Sequence, residues 1–405
     1  MQLHTTPLKN VAIGIYDGPH ATPKESDNGP IFLGIKNVTA DGRLDLSEIR
    51  HVAEEDFARW TRRVTPQKDD LVFSYEATLH LYARIPDNFL GCLGRRMALI
   101  RPDIEKIDPR FFHYYLLSPR WREKMEAITI IGATVNRIPL TLVPDVEVSI
   151  PDLATQTRIA DILSAYDELI ENNGRRIALL EQATRELYRE WFVRLRFPGH
   201  EHVKIIDGVP EGCEMKALRD ICLLRAGNVF KPNYQGQTRG DLPFIKVRDF
   251  NAPGNCLAVT VADNWVSQTD SDSFKGRPFP PGTVVFAKIG EAIRQNRVRL
   301  LVRDTLIDNN LMGAIPRGVS SAFLYCLLSN YDLANTASGA AVPFLSAGVL
   351  NAIPFLAPSP KIDIAFSEHI DGLLTQIQVL QHQSTQASHA RDLLLPHLMN
   401  GTIPV

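Results

Sequence analysis

Phe112-His113-Tyr114-Tyr115-Leu116-Leu117-Ser118 returns as Phe323-Leu324-Tyr325-Cys326-Leu327-Leu328-Ser329, about 211 residues further along the chain. Other anchors return at nearly the same offset. Ile35-Lys36-Asn37-Val38 matches Val247-Arg248-Asp249-Phe250, and Leu71-Val72-Phe73-Ser74 matches Val284-Val285-Phe286-Ala287. Gly132-Ala133-Thr134-Val135 matches Gly339-Ala340-Ala341-Val342. The period far exceeds the roughly 20–50 residues of a solenoid repeat, so the chain is a duplicated domain. Two copies that keep their framework and differ elsewhere suit two related surfaces presented to one long ligand.

Each copy has two unlike parts. The first is mixed: Ile31-Phe32-Leu33-Gly34-Ile35, Leu71-Val72-Phe73-Ser74-Tyr75 and Val284-Val285-Phe286-Ala287 read as strands, with Gly, Pro, Asn and Asp marking turns between them. Pro109-Arg110 and Ser320-Ser321 each lead into a short amphipathic helix carrying the repeated aromatic pattern. The second part is a long helix. Apolar positions run Ile159, Leu163, Tyr166, Ile170, Ile177, Leu180, Leu187 and Trp191, broken at Asn173 and Thr184, with a bend expected at Asn172-Asn173-Gly174. The second seam runs Phe366, Ile370, Leu373, Ile377, Leu380, Ala387, Leu394 and Leu398. Three-and-four spacing is the seam of a coiled coil. Pro198-Gly199 is expected to end the first helix, and Pro396 and Gly401 to limit the second.

The expected fold is therefore α+β: two tandem mixed domains separated by two long helices packed as an antiparallel coiled coil, with internal pseudo-twofold duplication. The boundaries are 1–153 and 199–360 for the mixed domains, 154–198 and 361–405 for the helices. A helix of about 35 residues is about 50 Å long.

The 405 residues are 44% hydrophobic and 22% charged, ordinary for a folded protein, with a formal net charge of −2. No apolar run approaches the roughly 18 residues that span a bilayer, and the start lacks a secretory pattern, so a cytoplasmic protein is expected. Cys92, Cys213, Cys222, Cys256 and Cys326 form no CxxC pair and read as thiols. The basic residues are clustered: Arg59, Arg62, Arg63 and Lys68; Arg95-Arg96; then Lys275, Arg277, Lys288, Arg294, Arg297, Arg299 and Arg303. A basic stretch in both copies favours a phosphate backbone as ligand over a merely solvated face.

Catalytic patterns are missing. There is no Walker A sequence, GxGxxG, HExxH, Asn-Pro-Pro-Tyr or Asp-Pro-Pro-Tyr. Pro102-Asp103-Ile104-Glu105-Lys106 lacks the Glu-x-Lys of a nuclease, and Asp17-Gly18-Pro19-His20 reads as a turn with no nucleophile beside it. The chain is expected to catalyse nothing and to need no metal or cofactor of its own.

Mixed domains each followed by a long helix resemble the specificity (S) subunit of type I restriction-modification enzymes. The segment from Ile159 to Asn173 and its continuation Leu187-Tyr188-Arg189-Glu190-Trp191-Phe192-Val193 look like the family's first helix. Leu394-Leu395-Pro396-His397-Leu398-Met399-Asn400-Gly401 resembles the end of its second. Val209-Pro210-Glu211-Gly212 with Leu218-Arg219-Asp220-Ile221 looks like the opening of a target recognition domain, with Cys213 where the family has tryptophan. Asp17-Gly18-Pro19-His20 and the segment Gly91–Met97 also match.

The resemblance implies a non-catalytic DNA reader. Each mixed domain would read half of a bipartite, asymmetric double-stranded site, and the helices would dock two methyltransferase (M) subunits, with restriction and motor (R) subunits joining for cleavage. S-adenosylmethionine, ATP and Mg2+ would then belong to those partners. Candidate DNA contacts follow the marked strands: Lys36, Asn37 and Tyr75, with Arg137 from the later loop, and Lys246, Arg248, Lys288, Arg294, Gln295 and Arg297 in the second copy. Arg can bond guanine bidentately and Asn or Gln adenine. Candidate partner contacts are Tyr166, Ile170, Tyr188, Trp191 and Phe192. Alternatives are the recognition subunit of a related bipartite-site restriction enzyme and a stand-alone DNA-binding regulator.

Overall fold

A computed structural model describes residues 2–24, 26–132, 134–252, 254–339 and 342–405. Ala133, Ala340 and Ala341 of the repeated tetrads lie outside the described residues. The chain divides into two units: Met1–Glu168 with Ala387–Val405, and Leu169–Gln386.

In the first unit a four-stranded antiparallel sheet has the order Ala12–Asp17, Met97–Pro102, Leu71–Ser74, Tyr82–Arg84. A second sheet places Ser26–Leu33 between Arg50–His51, antiparallel, and Gly91–Leu93, parallel. His4–Pro7 pairs with Glu147–Ile150. The second unit repeats every one of these pairings. Its main sheet runs Cys222–Ala226, Leu311–Pro316, Val284–Ala287, Val298–Leu301, with Ala258–Val259 added at the edge. Leu242–Ile245 lies between antiparallel Trp265–Val266 and parallel Leu306–Ile307, and Glu214–Ala217 pairs with Pro354–Ala357. The duplication holds strand by strand, with matching directions.

The continuous apolar run Leu71-Val72-Phe73 has a physical reason. Side chains alternate between faces of a strand, and here both faces are covered. Leu71 and Phe73 join Ala98 and Ile100 in one cluster, whereas Val72 joins Ala83, Met97 and Leu99 in another. Val284 and Phe286 likewise face one cluster, and Val285 and Ala287 the other. The repeated short helices pack on these sheets. Asp108 caps Pro109–Leu117 by accepting from the Arg110 and Phe111 N–H groups, and Ser320 caps Ser321–Asn330 through Phe323 N–H. Proline at the first helical position costs no hydrogen bond.

His113 sits on the first of these helices, its Nε2 2.8 Å from the Gly42 carbonyl oxygen. Burial first, then the Arg84 cation, hold its pKa down to about 4, against Asp167 and the Gly42 carbonyl. An unfolded histidine titrates near 6.5. The unfolded chain therefore takes up the proton first, and stability present above pH 6.5 is lost as pH falls toward 4. His113→Gln should flatten that acid limb. Urea midpoints at pH 7 and pH 4.5 should differ less for the variant than for the parent; equal differences would sink this account.

The long helices are Leu153–Tyr188, 36 residues, and Pro360–Asn400, 41 residues. Helix persists through Asn172-Asn173-Gly174. At its end Arg194 N–H bonds the Arg189 carbonyl oxygen at 2.8 Å, a wider turn covering Arg189–Val193. The second helix continues through Pro396, and Gly401, at φ +77°, follows its last residue. Proline removes one backbone donor, a loss best tolerated close to a terminus.

In the second unit the end of the first helix lies on the start of the second. Trp191 and Phe192 meet Phe366 with ring centroids 5.4 and 4.9 Å apart. In the first unit, Ile159 and Leu163 share a core with Leu398 and Met399. The buried seam of the second helix uses Leu374, and Leu373 is only partly buried. Its polar middle has a purpose: buried Gln381 donates to the Gly254 and Ala258 carbonyls at 2.6 and 3.2 Å. Asn173 and Thr184 are both buried. Thr184 Oγ1 donates to the Glu181 carbonyl, while the Asn173 amide has no hydrogen-bond partner among the described residues. A polar seam residue of this kind fixes register at some cost in stability. Among the described residues no helix is long and apolar enough to cross a membrane.

Candidate nucleic-acid interface

Strand ends decide where the variable loops go. In the first unit Asp17 pairs with Ala98 and Ser74 with Met97, so two strands finish where a third begins. The parallel pair Ile31–Leu33 and Gly91–Leu93 ends at the same edge, because Gly94 N–H donates to the Leu33 carbonyl at 2.8 Å. Gly18 N–H donates to the Met97 carbonyl at 3.0 Å. A Cβ on Gly18 would lie 2.8 Å from the Gly94 oxygen, so only glycine lets these backbones touch. Residues 18–21, 34–37, 75–80 and 94–96 therefore share one edge. A later loop closes it: Ala77 N–H donates to the Asn136 carbonyl and Ile138 N–H to that of Tyr75, with Glu76 bridging Arg137 through the backbone.

The second unit builds the same edge. A Cβ on Gly227 would lie 2.1 Å from the Asp308 carbonyl oxygen, and Asn228 N–H donates to the Ile307 carbonyl. Asp308 N–H donates to the Ile245 carbonyl, and Lys288 N–H to that of Asn310. Leu345 N–H bonds the Lys288 carbonyl and Gly290 N–H that of Pro343, so residues 343–345 stand where 136–138 stand in the first copy. The loop residues marked after the strands of each copy, with Arg137 of the first, are thus brought to one edge per unit.

Their side chains differ in what they can offer. Lys36 is half exposed, with Nζ 3.9 Å from Glu48. Asn37 is buried: its amide donates to the Asp45 and Glu48 carbonyls, both at 3.0 Å, and accepts from Gly34 N–H. It shapes the loop that carries Lys36. Tyr75 is buried with its hydroxyl 3.4 Å from His20 Nδ1; burial, then Asp17 and Glu76, push its pKa up to about 12, so the phenol stays neutral. Arg137 is exposed.

In the second unit Lys246 Nζ lies 3.3 Å from the centre of the Phe230 ring and donates to Gln235 Oε1 at 2.7 Å. Arg248 is paired with Asp263. Lys288 and Arg297 are partly buried, Arg294 and Gln295 exposed, with Arg294 3.6 Å from Glu291. Cations and amides on one edge are the groups that hold phosphates and read base edges. Of the helix residues, Tyr166 and Ile170 are half buried, whereas Tyr188, Trp191 and Phe192 are interior.

Sequence reasoning took Asp17-Gly18-Pro19-His20 as a turn and a family match, outside the candidate contacts, and did not mark Gly227 or Asp308. Asp17 lies 2.5 Å from Arg63 and 3.1 Å from His20, an ion-paired corner of the first edge. Asp308 is buried in the second, and burial holds its carboxyl above the usual range while Asn310 opposes this. Gly18 and Gly227, each just beyond the first strand of its main sheet, would have marked both corners once the copies were aligned in full.

Residues 39–182 match a family model described as the type I restriction modification DNA specificity domain. The chain is similar to the specificity subunit of type I restriction enzyme MjaIX from Methanocaldococcus jannaschii, 24% identical over 300 residues, covering 72% of this chain and 68% of the relative. It is also similar to the HindI specificity subunit of Haemophilus influenzae, 23% identical over 384 residues, with 78% and 82% covered. In fold it resembles the crystal structure of a type I restriction-modification S subunit from M. genitalium, with a TM-score of 0.54, 16% identity, and 98% and 96% of the two chains covered. Residues 39–182 thus match the DNA specificity domain of type I restriction-modification systems, and the chain as a whole is similar to their specificity subunits.

Proposed function

We propose that this chain is a specificity subunit and reads a bipartite, asymmetric double-stranded DNA site, one half with each recognition domain, residues 1–153 and 199–360. The observation that carries the reading is the pair of edges: identical in strand pairing, unlike in side chains. Equal frameworks suit equal ways of meeting a duplex. Unlike loops, with Lys36 and Arg137 in one and Lys246, Arg248, Lys288, Arg294, Gln295 and Arg297 in the other, suit different bases in the two halves. Asn37 and Tyr75 serve the first edge from beneath it.

The helical parts, 154–198 and 361–405, would dock two methyltransferase subunits. The half-buried Tyr166 and Ile170 are the accessible candidates, and Tyr188, Trp191 and Phe192 support the helix end from inside. Adenine methylation, with the base flipped into a partner's pocket, and ATP-dependent cleavage would belong to M and R subunits, which would carry S-adenosylmethionine, ATP and Mg2+. Its place of work would be the cytoplasm.

Single-molecule sequencing for methylated adenine, in a host expressing the chain with its methyltransferase, tests this. One split motif is expected. Replacing residues 199–360 with the equivalent domain of another specificity subunit should change one half and leave the other. A motif indifferent to that exchange would overturn the proposal.

A further inference from the structure

Beside the first reading edge is a cleft of about 360 Å³ lined by Pro19, His20, Ala21, Arg59, Trp60, Arg62 and Arg63. We infer that it is a seat for DNA backbone phosphate, holding the first recognition domain in register on the duplex. The inference rests on the reading just proposed and goes beyond it by assigning a phosphodiester site to residues 59–63.

Its walls are fixed before any ligand arrives. Trp60 is 7% exposed and packs edge-to-face on Phe32 at 5.8 Å. Thr61 caps the short helix Phe57–Trp60 by donating to the Phe57 carbonyl at 2.9 Å. His20 is held from both ring nitrogens, by Asp17 at 3.1 Å and Tyr75 at 3.4 Å. Arg63 is spent on Asp17, at 2.5 Å, and on the Gly18 carbonyl at 3.4 Å. Arg59 and Arg62 are different. Both are exposed, and among the described residues neither has an acidic partner. Two uncompensated guanidinium groups thus border a preformed cleft whose far wall, His20, belongs to the reading edge itself. Arginine forks match phosphate oxygens, and phosphate contacts set register while carrying no sequence information.

The duplication supplies a control for folding. In the second unit the short helix between the corresponding strands is Gln268–Ser273, which carries Asp270 and Asp272 and no base. Lys275 and Arg277 follow that helix as Arg62 and Arg63 follow Trp60, so both copies keep bases there, and only Arg59 is replaced by an acidic helix. The same topology forms in the second unit without an arginine at the Arg59 place.

The test uses the full chain and its own target duplex, with binding measured as a function of salt. Each phosphate contact contributes about 0.9 to the slope of log affinity against log salt. Arg59→Ala with Arg62→Ala should lower that slope by about 2. Between 50 and 200 mM salt the parent should then lose about tenfold more affinity than the variant. The methylated motif should be unchanged. Arg59→Lys with Arg62→Lys, which keeps the charge, should restore the slope and shows that loss is not misfolding. An unchanged slope in the alanine variant, or an altered motif with the slope intact, would overturn the assignment. A parent chain without salt-dependent binding to its duplex would instead overturn the DNA-reading proposal itself.

Discussion

Replacing Phe366 by alanine should destabilise the second unit by about 3–5 kcal/mol, the usual cost of emptying an aromatic core position. Phe366 is fully buried, and its ring touches Tyr188, Trp191, Phe192 and Phe323 with centroids between 4.9 and 6.5 Å. Several of these pairs are edge-to-face, a geometry worth about 0.5–1.5 kcal/mol each beyond area burial. The wide turn at Arg189–Val193 aims Trp191 and Phe192 into the cluster, and Phe323 is the first residue of the repeated aromatic pattern. One phenyl ring therefore joins both long helices to the second mixed domain. Urea denaturation followed by tryptophan fluorescence reads the loss directly. A cost below about 1 kcal/mol would mean that the cluster relaxes around the void, contrary to close packing.

Removing Asp167 should be nearly as damaging to the first unit. Its carboxylate accepts from the Tyr114 hydroxyl and from Arg391 Nη1, each at 2.5 Å. Arg391 is 8% exposed, with Asp392 as its other acidic contact. Asp167→Leu leaves the buried Tyr114 phenol without this acceptor and the Arg391 guanidinium with Asp392 alone. Breaking a buried pair typically costs about 3–5 kcal/mol; we expect about 3, because the Asp167 side chain is itself 30% exposed. Asp167→Leu combined with Arg391→Leu should recover much of the loss, since neither member is then stranded. A double-mutant cycle by urea denaturation checks both. Additive losses would show that the pair contributes no coupling.

Much of the architecture is legible in the sequence because it follows from local rules. The aromatic heptapeptide and its twin locate both copies, and strand runs such as Leu71-Val72-Phe73 are apolar at every position because both sheet faces are covered. The seams locate two long helices. What periodicity leaves undecided is which of two neighbouring leucines turns inward. Leu374 is buried ahead of Leu373 on a helix that must also place Gln381 under residues 254–258. Pro396 reads as a stop, yet helix continues to Asn400 with Leu398 and Met399 in the first core. Tertiary burial outweighs one missing backbone donor so near the terminus.

The interface is legible in outline and not in detail. A loop after a strand is recognisable from Lys36-Asn37 or Lys288 alone. Whether a side chain is offered or consumed depends on contacts distant in sequence. The Asn37 amide is taken up by Asp45 and Glu48, Lys246 by Phe230 and Gln235, Arg63 by Asp17. Arg59 and Arg62 sit in the same short run as Arg63. Only geometry separates the two with free charge from the one without.

The first unit is assembled from both ends of the chain, with Leu398 and Met399 completing a core begun at Leu8. Synthesis proceeds from the N-terminus at about 5–20 residues per second. The stretch Leu169–Gln386 must emerge in between, a wait on the order of ten to forty seconds at that pace. When it ends the first mixed domain still lacks its closing helix turns, while the second unit has all its segments in hand. The half encoded first is thus finished last, and a ribosome that stalls within the final turns leaves behind a chain with one complete unit and one open core.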